Sequence, residues 1–459
     1  MKQVQRQPEP YVSTTNACKL CKPLGACLAF RGIEGAVPFL HGSQGCATYM
    51  RRYIISHFRE PIDIASSSLG EKHAVYGGGP NLKLGLKNVM SKYNPRMIGI
   101  ATTCLTETIG DDVPMIVNEF RRDFDEVMET HGSPALVNVS TPSYSGTHME
   151  GFHAAVRAAV DQLAEGTDPH QGVALFPGFV SPADIRYLKE ILDDFGLQRT
   201  ILPDISMTLD APAMKEYENL PSGGTPISEI KAMGGSKAAI EFGRTLFTQD
   251  SAGKVLEEKF GTRLHSLGMP IGLRESDRFL EVLEELSGQE TPEKHLLERG
   301  RLIDSYVDGH KYIFGKRAIV YGEEDLVVGL TAFLAEIGIR PVLCASGGRS
   351  RNFEPAVTQV AEGLLPEPPE VREGIDFYGI ADEAELLEPD LLVGNSKGYH
   401  LARRLHIPLI RVGFPIHDRF GGHRTLHLGY RGAQSLLDSI INTVIAEKQE
   451  SSPIGYSYI

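Results

Sequence analysis

The 459-residue chain has no tryptophan, only six cysteines, and no run near the ~20 apolar residues a bilayer crossing needs. Each shortage excludes something. Six thiols over this length are too few to staple a disulfide scaffold. Residues 1–10 are polar and contain no apolar signal-peptide core. The chain is therefore expected in the cytoplasm, where clustered thiols signal metal or redox chemistry. Basic residues are also in deficit: 46 Lys and Arg against 59 Asp and Glu give a formal charge of −13. That balance argues against a protein whose main partner is nucleic acid. What is present is ordinary for a folded chain, 41% hydrophobic and 23% charged, so disorder and collagen-like repeats are excluded. At roughly 100–200 residues per domain, the length predicts two to four domains.

Short apolar runs alternate with amphipathic segments almost throughout. Residues 97–101, 136–139, 173–176, 200–202, 318–321, 341–344, 391–393 and 409–412 read as buried strands, each bounded by Gly, Pro, Asn or Asp. Residues 151–165, 182–195, 324–337 and 433–448 carry helical patterns. This alternation predicts an α/β fold of parallel sheets covered by helices on both faces. Three doubly wound lobes are expected, 1–170, 171–313 and 314–459, divided at a polar stretch (166–172) and a charged helix–linker region (289–316). In such folds sites form at loops leaving the carboxyl ends of strands. That rule directs attention to residues 102–107, 141–148 and 394–398.

Cys18, Cys21, Cys27, Cys46 and Cys104 fall in the first quarter of the chain, and only Cys344 lies beyond. Three of them sit in loop-like contexts: CKPLG at 21–25, HGSQGC at 41–46 and TTCLTE at 102–107. Gly42 and Gly45 permit close approach of a bulky group. A helix is expected over 47–58, directly after Cys46, and a helix start stabilises a thiolate or an anionic cluster. Thiolates are the ligands iron–sulfur clusters require, and three converging thiols would be one short of a simple cluster's four. The missing ligand would then come from another subunit. Cys27, in an apolar segment, and Cys344, ending a predicted strand, read as small core residues. Cys18 and Cys21 have zinc-like spacing but no second pair downstream. A thioredoxin-like reading also lacks support, because the pair precedes the first strand pattern instead of opening a helix after it.

Other candidates have simpler readings. Residues 76–79, followed by Pro80 and Asn81, resemble a phosphate loop but lack its Gly-Lys-Ser/Thr. Glu107, Asp111 and Asp112 could be a metal carboxylate set, yet Asp111 or Asp112 is expected to cap a helix near Val113, with Pro114 in its first turn. His41 and His57 are expected to be hydrogen-bonded structural histidines. The basic stretch from His400 to Arg431 reads either as a dock for an anionic cofactor precursor or, preferentially, as salt bridges at a partner interface.

Several ordered motifs resemble the nitrogenase component-1 superfamily on its β side. They are HGSQGC (41–46), HFREP (57–61), TTCLTETIGDD (102–112), TPSYSGTH (141–148), FPGFVSPAD (176–184), GNS (394–396), GFPIHD (413–418) and GYRG (429–432). The resemblance covers nearly the whole chain and implies three Rossmann-like lobes. It implies an α-like homologous partner in an α2β2 heterotetramer and transient docking of the nitrogenase iron protein, which hydrolyses the ATP. Cys46, then Cys21 and Cys104, match cluster ligands, and Ser143 matches a cofactor-binding serine. The cluster would be shared with the partner, either as a four-iron or as a P-cluster-like eight-iron centre. No catalytic acid, base or nucleophile is implied for this chain.

Within the superfamily, the last lobe resembles the β-like subunit of the scaffold complex that matures the iron–molybdenum cofactor (NifN), which pairs with a NifE-like subunit. The cofactor precursor would be held mainly by that partner. Arg431 stands where the catalytic β subunit of molybdenum–iron nitrogenase more typically carries an acid. The three cysteines and Ser143 match the catalytic β pattern instead. The expected role is scaffold subunit, with the dinitrogen-reducing β chain as the alternative.

Overall fold

The structure is a computed structural model and describes residues 17–213, 216, 218–246 and 250–454. It contains three all-parallel sheets. The first, ordered β2-β1-β3-β4, consists of β1 (Ala36–His41), β2 (Ala65–Ser66), β3 (Met97–Thr102) and β4 (Ala135–Val139). The second, ordered β6-β5-β7-β8, consists of β5 (His170–Phe176), β6 (Arg199–Ile201), β7 (Ser236–Phe242) and β8 (Arg263–Leu267). The third, ordered β11-β10-β9-β12-β13, consists of β9 (Arg317–Gly322), β10 (Arg340–Ser346), β11 (Glu370–Glu373), β12 (Leu391–Gly394) and β13 (Leu409–Arg411). Each sheet starts at an inner strand, builds outward on one side, then crosses to the other. The winding therefore reverses between β1 and β3, β5 and β7, and β9 and β12. The crevice beyond the carboxyl ends of such a pair is where open α/β sheets form sites.

Five strands lie outside the predicted apolar runs: β2 is only two residues long, and the other four are missed for two physical reasons. β8 (RLHSL) and β11 (EVRE) are edge strands with partly exposed side chains, so they lack a buried strand's hydrophobicity. β1 and β7 are interior, but Pro38 interrupts the one and Lys237 and Glu241 the other, which obscures their pattern. The charged 289–316 region holds a long helix, Glu293–Ile313, and the Gly429–Ser451 helix packs along it, with the Ile441 side chain filling the space over Gly309.

A continuous core runs through all three lobes, from Leu24 and Phe30 through Leu188 and Phe279 to Phe333 and Leu437. The outer faces of the first and third sheets carry separate apolar clusters. The Lys22–Arg31 helix packs against the His148–Leu163 helix through reciprocal glycines. A Cβ on Gly25 would lie 1.6 Å from the His148 carbonyl oxygen, and one on Gly151 would lie 1.8 Å from that of Lys22. Among the described residues no helix is long and apolar enough to cross a membrane.

Candidate metal centre

The first sheet's reversal point carries two of the three singled-out thiols. The Gln44–Phe58 helix follows β1 and holds Cys46 in its first turn; the Cys104–Ile109 helix follows β3 and begins with Cys104. The first of these helices starts earlier than expected because Ser43 caps it, its hydroxyl accepting from the Gly45 amide at 3.3 Å. Cys21 occupies the N-cap position of the Lys22–Arg31 helix, without a side-chain capping bond. The Cys18–Cys21 pair does precede the first strand, β1, as expected, and a helix opens directly after it at Lys22, with Pro23 suited to the first turn. All three thiols thus stand at helix starts, beside amide N–H groups with no helical acceptor and the positive end of the helix dipole.

Cys21 and Cys104 are exposed and Cys46 is half-buried. Burial raises the Cys46 pKa, and the charges of Cys21 and Cys104 raise it further. The three sulfurs therefore share one electrostatic neighbourhood. Such a trio repels itself when ionised and is relieved by a positively charged centre. Among the described residues no three His, Cys, Asp or Glu side chains form a group that could hold a single metal ion. The donor set suits a polynuclear centre with thiolates on separate metal atoms better than one tetrahedral zinc. Ser143 lies beside it: its amide donates to Cys104 Sγ at 3.2 Å, and its turn, Ser143–Ser145, follows β4. The remaining thiols are elsewhere. Cys18, Cys27 and Cys344 are buried, and burial pushes Cys18 and Cys344 up to about 12. Cys18 packs in the third lobe's apolar cluster, so it does not pair with Cys21.

The segment leading to Cys21 is held by residues from two of the expected strand-end loops, 141–148 and 394–398, to which the sequence assigned no role. Lys397 Nζ donates to the carbonyls of Ala17 at 2.8 Å and Lys19 at 3.2 Å. The Leu20 amide donates to His148 Nδ1 at 3.3 Å, which leaves the imidazole proton on Nε2, 3.0 Å from Glu323 Oε1. The available signal was only position, since His148 ends one quoted motif and Lys397 follows another. The other carboxylates behave more simply. Asp112 caps the Val113–Asp123 helix, accepting from the Met115 amide at 2.9 Å. Glu107 accepts from the hydroxyls of Thr102 and Ser140 and so ties β3 to the loop after β4. Asp111 does not cap; it accepts from His41 Nε2 and from the Gly78 amide. His57 is structural, accepting from the Ile416 amide at 2.9 Å, and burial lowers its pKa to about 3.

The basic 400–431 stretch is largely neutralised inside the chain. Arg411 pairs with Asp418 at 2.7 Å, Arg404 with Glu385 at 3.4 Å, and His423 with Asp210 at 3.3 Å. Arg431 bridges Glu190 and Glu298 and lies over the Tyr187 ring. The preferred reading placed salt bridges at a partner interface; those formed by these residues are instead intramolecular.

Comparison with known proteins follows the same outline. The family model described as nitrogenase component 1 type oxidoreductase matches residues 21–445. The molybdenum–iron protein β chain of Clostridium pasteurianum is 36% identical over 435 residues, covering 94% of this chain and 93% of its own length. That of Methanothermobacter thermautotrophicus is 37% identical over 449 residues, covering 95% of each. The vanadium–iron protein β chain of Trichormus variabilis is 35% identical over 440 residues, covering 94% of this chain and 93% of its own length. A chain of the solved structure described as nitrogenase Cp1 at pH 6.5 superposes with a TM-score of 0.93 at 33% identity, covering 99% of this chain and 98% of its own.

Proposed function

This chain belongs to the nitrogenase component 1 type oxidoreductase family, on its β side, and from that premise we propose that Cys21, Cys46 and Cys104 hold half of an iron–sulfur cluster shared with an α-like partner. The reading is supported by three thiols that each stand at a helix start, two of them exposed, with the charges of Cys21 and Cys104 acting on Cys46. Exposure leaves room for a partner surface to supply the ligands that three thiolates cannot. A cluster bound there supplies an electron carrier. The chain supplies thiolate donors, helix-start N–H groups that favour anionic sulfur, and the Ser143 amide that fixes Cys104.

The assembled complex is, in this proposal, the scaffold on which iron–molybdenum cofactor is matured. It is an α2β2 heterotetramer with a NifE-like partner that holds most of the cofactor precursor, and the iron protein docks on it transiently. Arg431 supports that choice. The catalytic β pattern more typically has an acid there, which in this chain would face Glu190 and Glu298. A second reading, the P-cluster-bearing β chain of dinitrogen-reducing nitrogenase, draws on a different observation: the cited relatives carry that name, or its vanadium counterpart, and match nearly end to end.

Anaerobic co-purification with the partner, followed by iron and molybdenum analysis, tests both readings. Activation of cofactor-deficient nitrogenase by the purified complex is the expected result. Robust dinitrogen reduction by that complex with the iron protein would sink the scaffold assignment. Cys46→Ala is expected to lower the iron content while the complex still assembles; unchanged iron and unchanged spectra would refute the ligand role.

A further inference from the structure

His41 is fully buried at the end of β1, and both of its ring nitrogens are engaged. Nε2 lies 3.0 Å from Asp111 Oδ2, and Nδ1 lies 2.9 Å from Ser67 Oγ. A carboxylate only accepts, so the proton sits on Nε2, and Nδ1 accepts from the Ser67 hydroxyl. The Ser67 oxygen in turn accepts from the Gly42 amide at 2.9 Å. Asp111 is fixed from its other side by the Gly78 amide, at 3.1 and 3.0 Å to its two oxygens. Gly78 must be glycine here, because a Cβ would come within 2.8 Å of the His41 ring and 2.6 Å of Asp111. The result is a one-directional series of hydrogen bonds, Gly42 to Ser67 to His41 to Asp111.

Serine, histidine and aspartate in series suggest a hydrolytic triad, but that use is closed. Ser67 is only 4% exposed, and its oxygen already accepts an amide proton, so no substrate carbonyl can reach it. The series leads instead to the thiol loops. Gly42 begins the turn into the helix that carries Cys46. The His41 carbonyl accepts from the Thr103 amide at 3.1 Å and from Thr106 Oγ1 at 3.0 Å, on either side of Cys104. One residue therefore grips both loops, which leave the two strands flanking the reversal point.

We propose that His41, oriented by Ser67 and Asp111, is a positioning residue that sets the spacing of Cys46 and Cys104 for their shared centre. This rests on the cluster reading above, and the test separates the two. In the full chain without metal, Ser67→Ala and His41→Asn are expected to raise the rate of Cys46 alkylation by iodoacetamide about fivefold, the ratio for the roughly 1 kcal/mol net worth of one hydrogen bond. Ser67→Thr is expected to restore the wild-type rate. In the iron-loaded complex with the partner, the same two variants are expected to shift the cluster's electron paramagnetic resonance spectrum and midpoint potential while circular dichroism and assembly stay as in wild type. Wild-type alkylation rates and spectra in both variants would overturn the proposal. If the wild-type complex binds no iron, the cluster reading fails, and the alkylation rates still decide whether His41 positions the thiols.

Discussion

Arg431 stands in the first turn of the Gly429–Ser451 helix with its guanidinium 4.5 Å from the Tyr187 ring centroid and bonded to Glu190 and Glu298. The same Glu298 accepts from the Tyr187 hydroxyl at 2.6 Å. The two acids are held together by the arginine between them, and Glu190 is pulled down to about 2, chiefly by its hydrogen bond to Arg431. Because the arginine is partly exposed, solvent screens much of this attraction. Arg431→Glu replaces attraction by repulsion and is expected to destabilise the chain by about 1–2 kcal/mol. The loss should shrink at high salt, since screening weakens a surface repulsion. Denaturant melts at two ionic strengths check both statements; a salt-independent loss would point to lost packing over Tyr187 instead. The motif was visible in the sequence, but its partners, more than a hundred positions away, were not.

At the scale of elements, the crossing of the Lys22–Arg31 and His148–Leu163 helices places Cys21. Gly25 and Gly151 each meet the opposite helix's backbone carbonyl where a side chain would be. Backbone cannot yield as a flexible side chain can, so the helices must separate if either glycine gains a methyl group. Gly25→Ala or Gly151→Ala is expected to cost about 1–3 kcal/mol or more and to lower the iron content of the complex by moving Cys21. Thermal unfolding and iron analysis read the two effects separately; normal iron in a destabilised Gly151→Ala complex would show that the crossing does not position Cys21. Gly25 also shows how far the sequence could be read. It stood out as one of the glycines in a cysteine motif, while the need for it depends on a helix more than a hundred residues onward. The strand–helix alternation and the loops after β3, β4 and β12 were legible because buried parallel strands are continuously apolar. The edge strands β8 and β11 were not, because half-exposed strands lose that signal. The Cys46 helix start was misjudged by three residues because Ser43 captures an amide within a glycine-bearing loop.

The three lobes meet around a cavity of about 310 Å³, lined among others by Glu150 and His153 from the first, Thr245 from the second, and Glu324 and Asp325 from the third. Burial raises Glu324 to about 7, aided by Glu150 and Glu373, and raises Asp325 to about 6. A carboxyl whose folded pKa exceeds its unfolded value binds more protons when folded, so its stabilising effect is complete in acid and is lost as pH rises through the folded value. Burial lowers His57 to about 3 and His153 to about 4. Unfolded histidines would take up protons below about 6.5, so those two groups favour the fold above that pH and lose the effect as pH falls. The two pairs oppose each other between roughly pH 4.5 and 6, where their combined slope is small. Glu324→Gln is expected to leave stability unchanged below about pH 4.5 and to raise it above pH 7 by up to about 3 kcal/mol. Urea melts across that range check it, and equal gains at both ends would refute the assignment. The contact between Lys397 and the carbonyls of Ala17 and Lys19, spanning 380 and 378 residues, has a consequence in time. A ribosome delivers β1 and β3, with the helix starts bearing Cys46 and Cys104, while most of the chain is still unmade. Cys21 is seated later: its helix waits for the His148–Leu163 helix and Leu20 for His148, while Ala17 and Lys19 are clamped only after β12 emerges. The newborn chain therefore offers two seated thiols before it offers three, so the proposed metal half-site would be unfinished during synthesis.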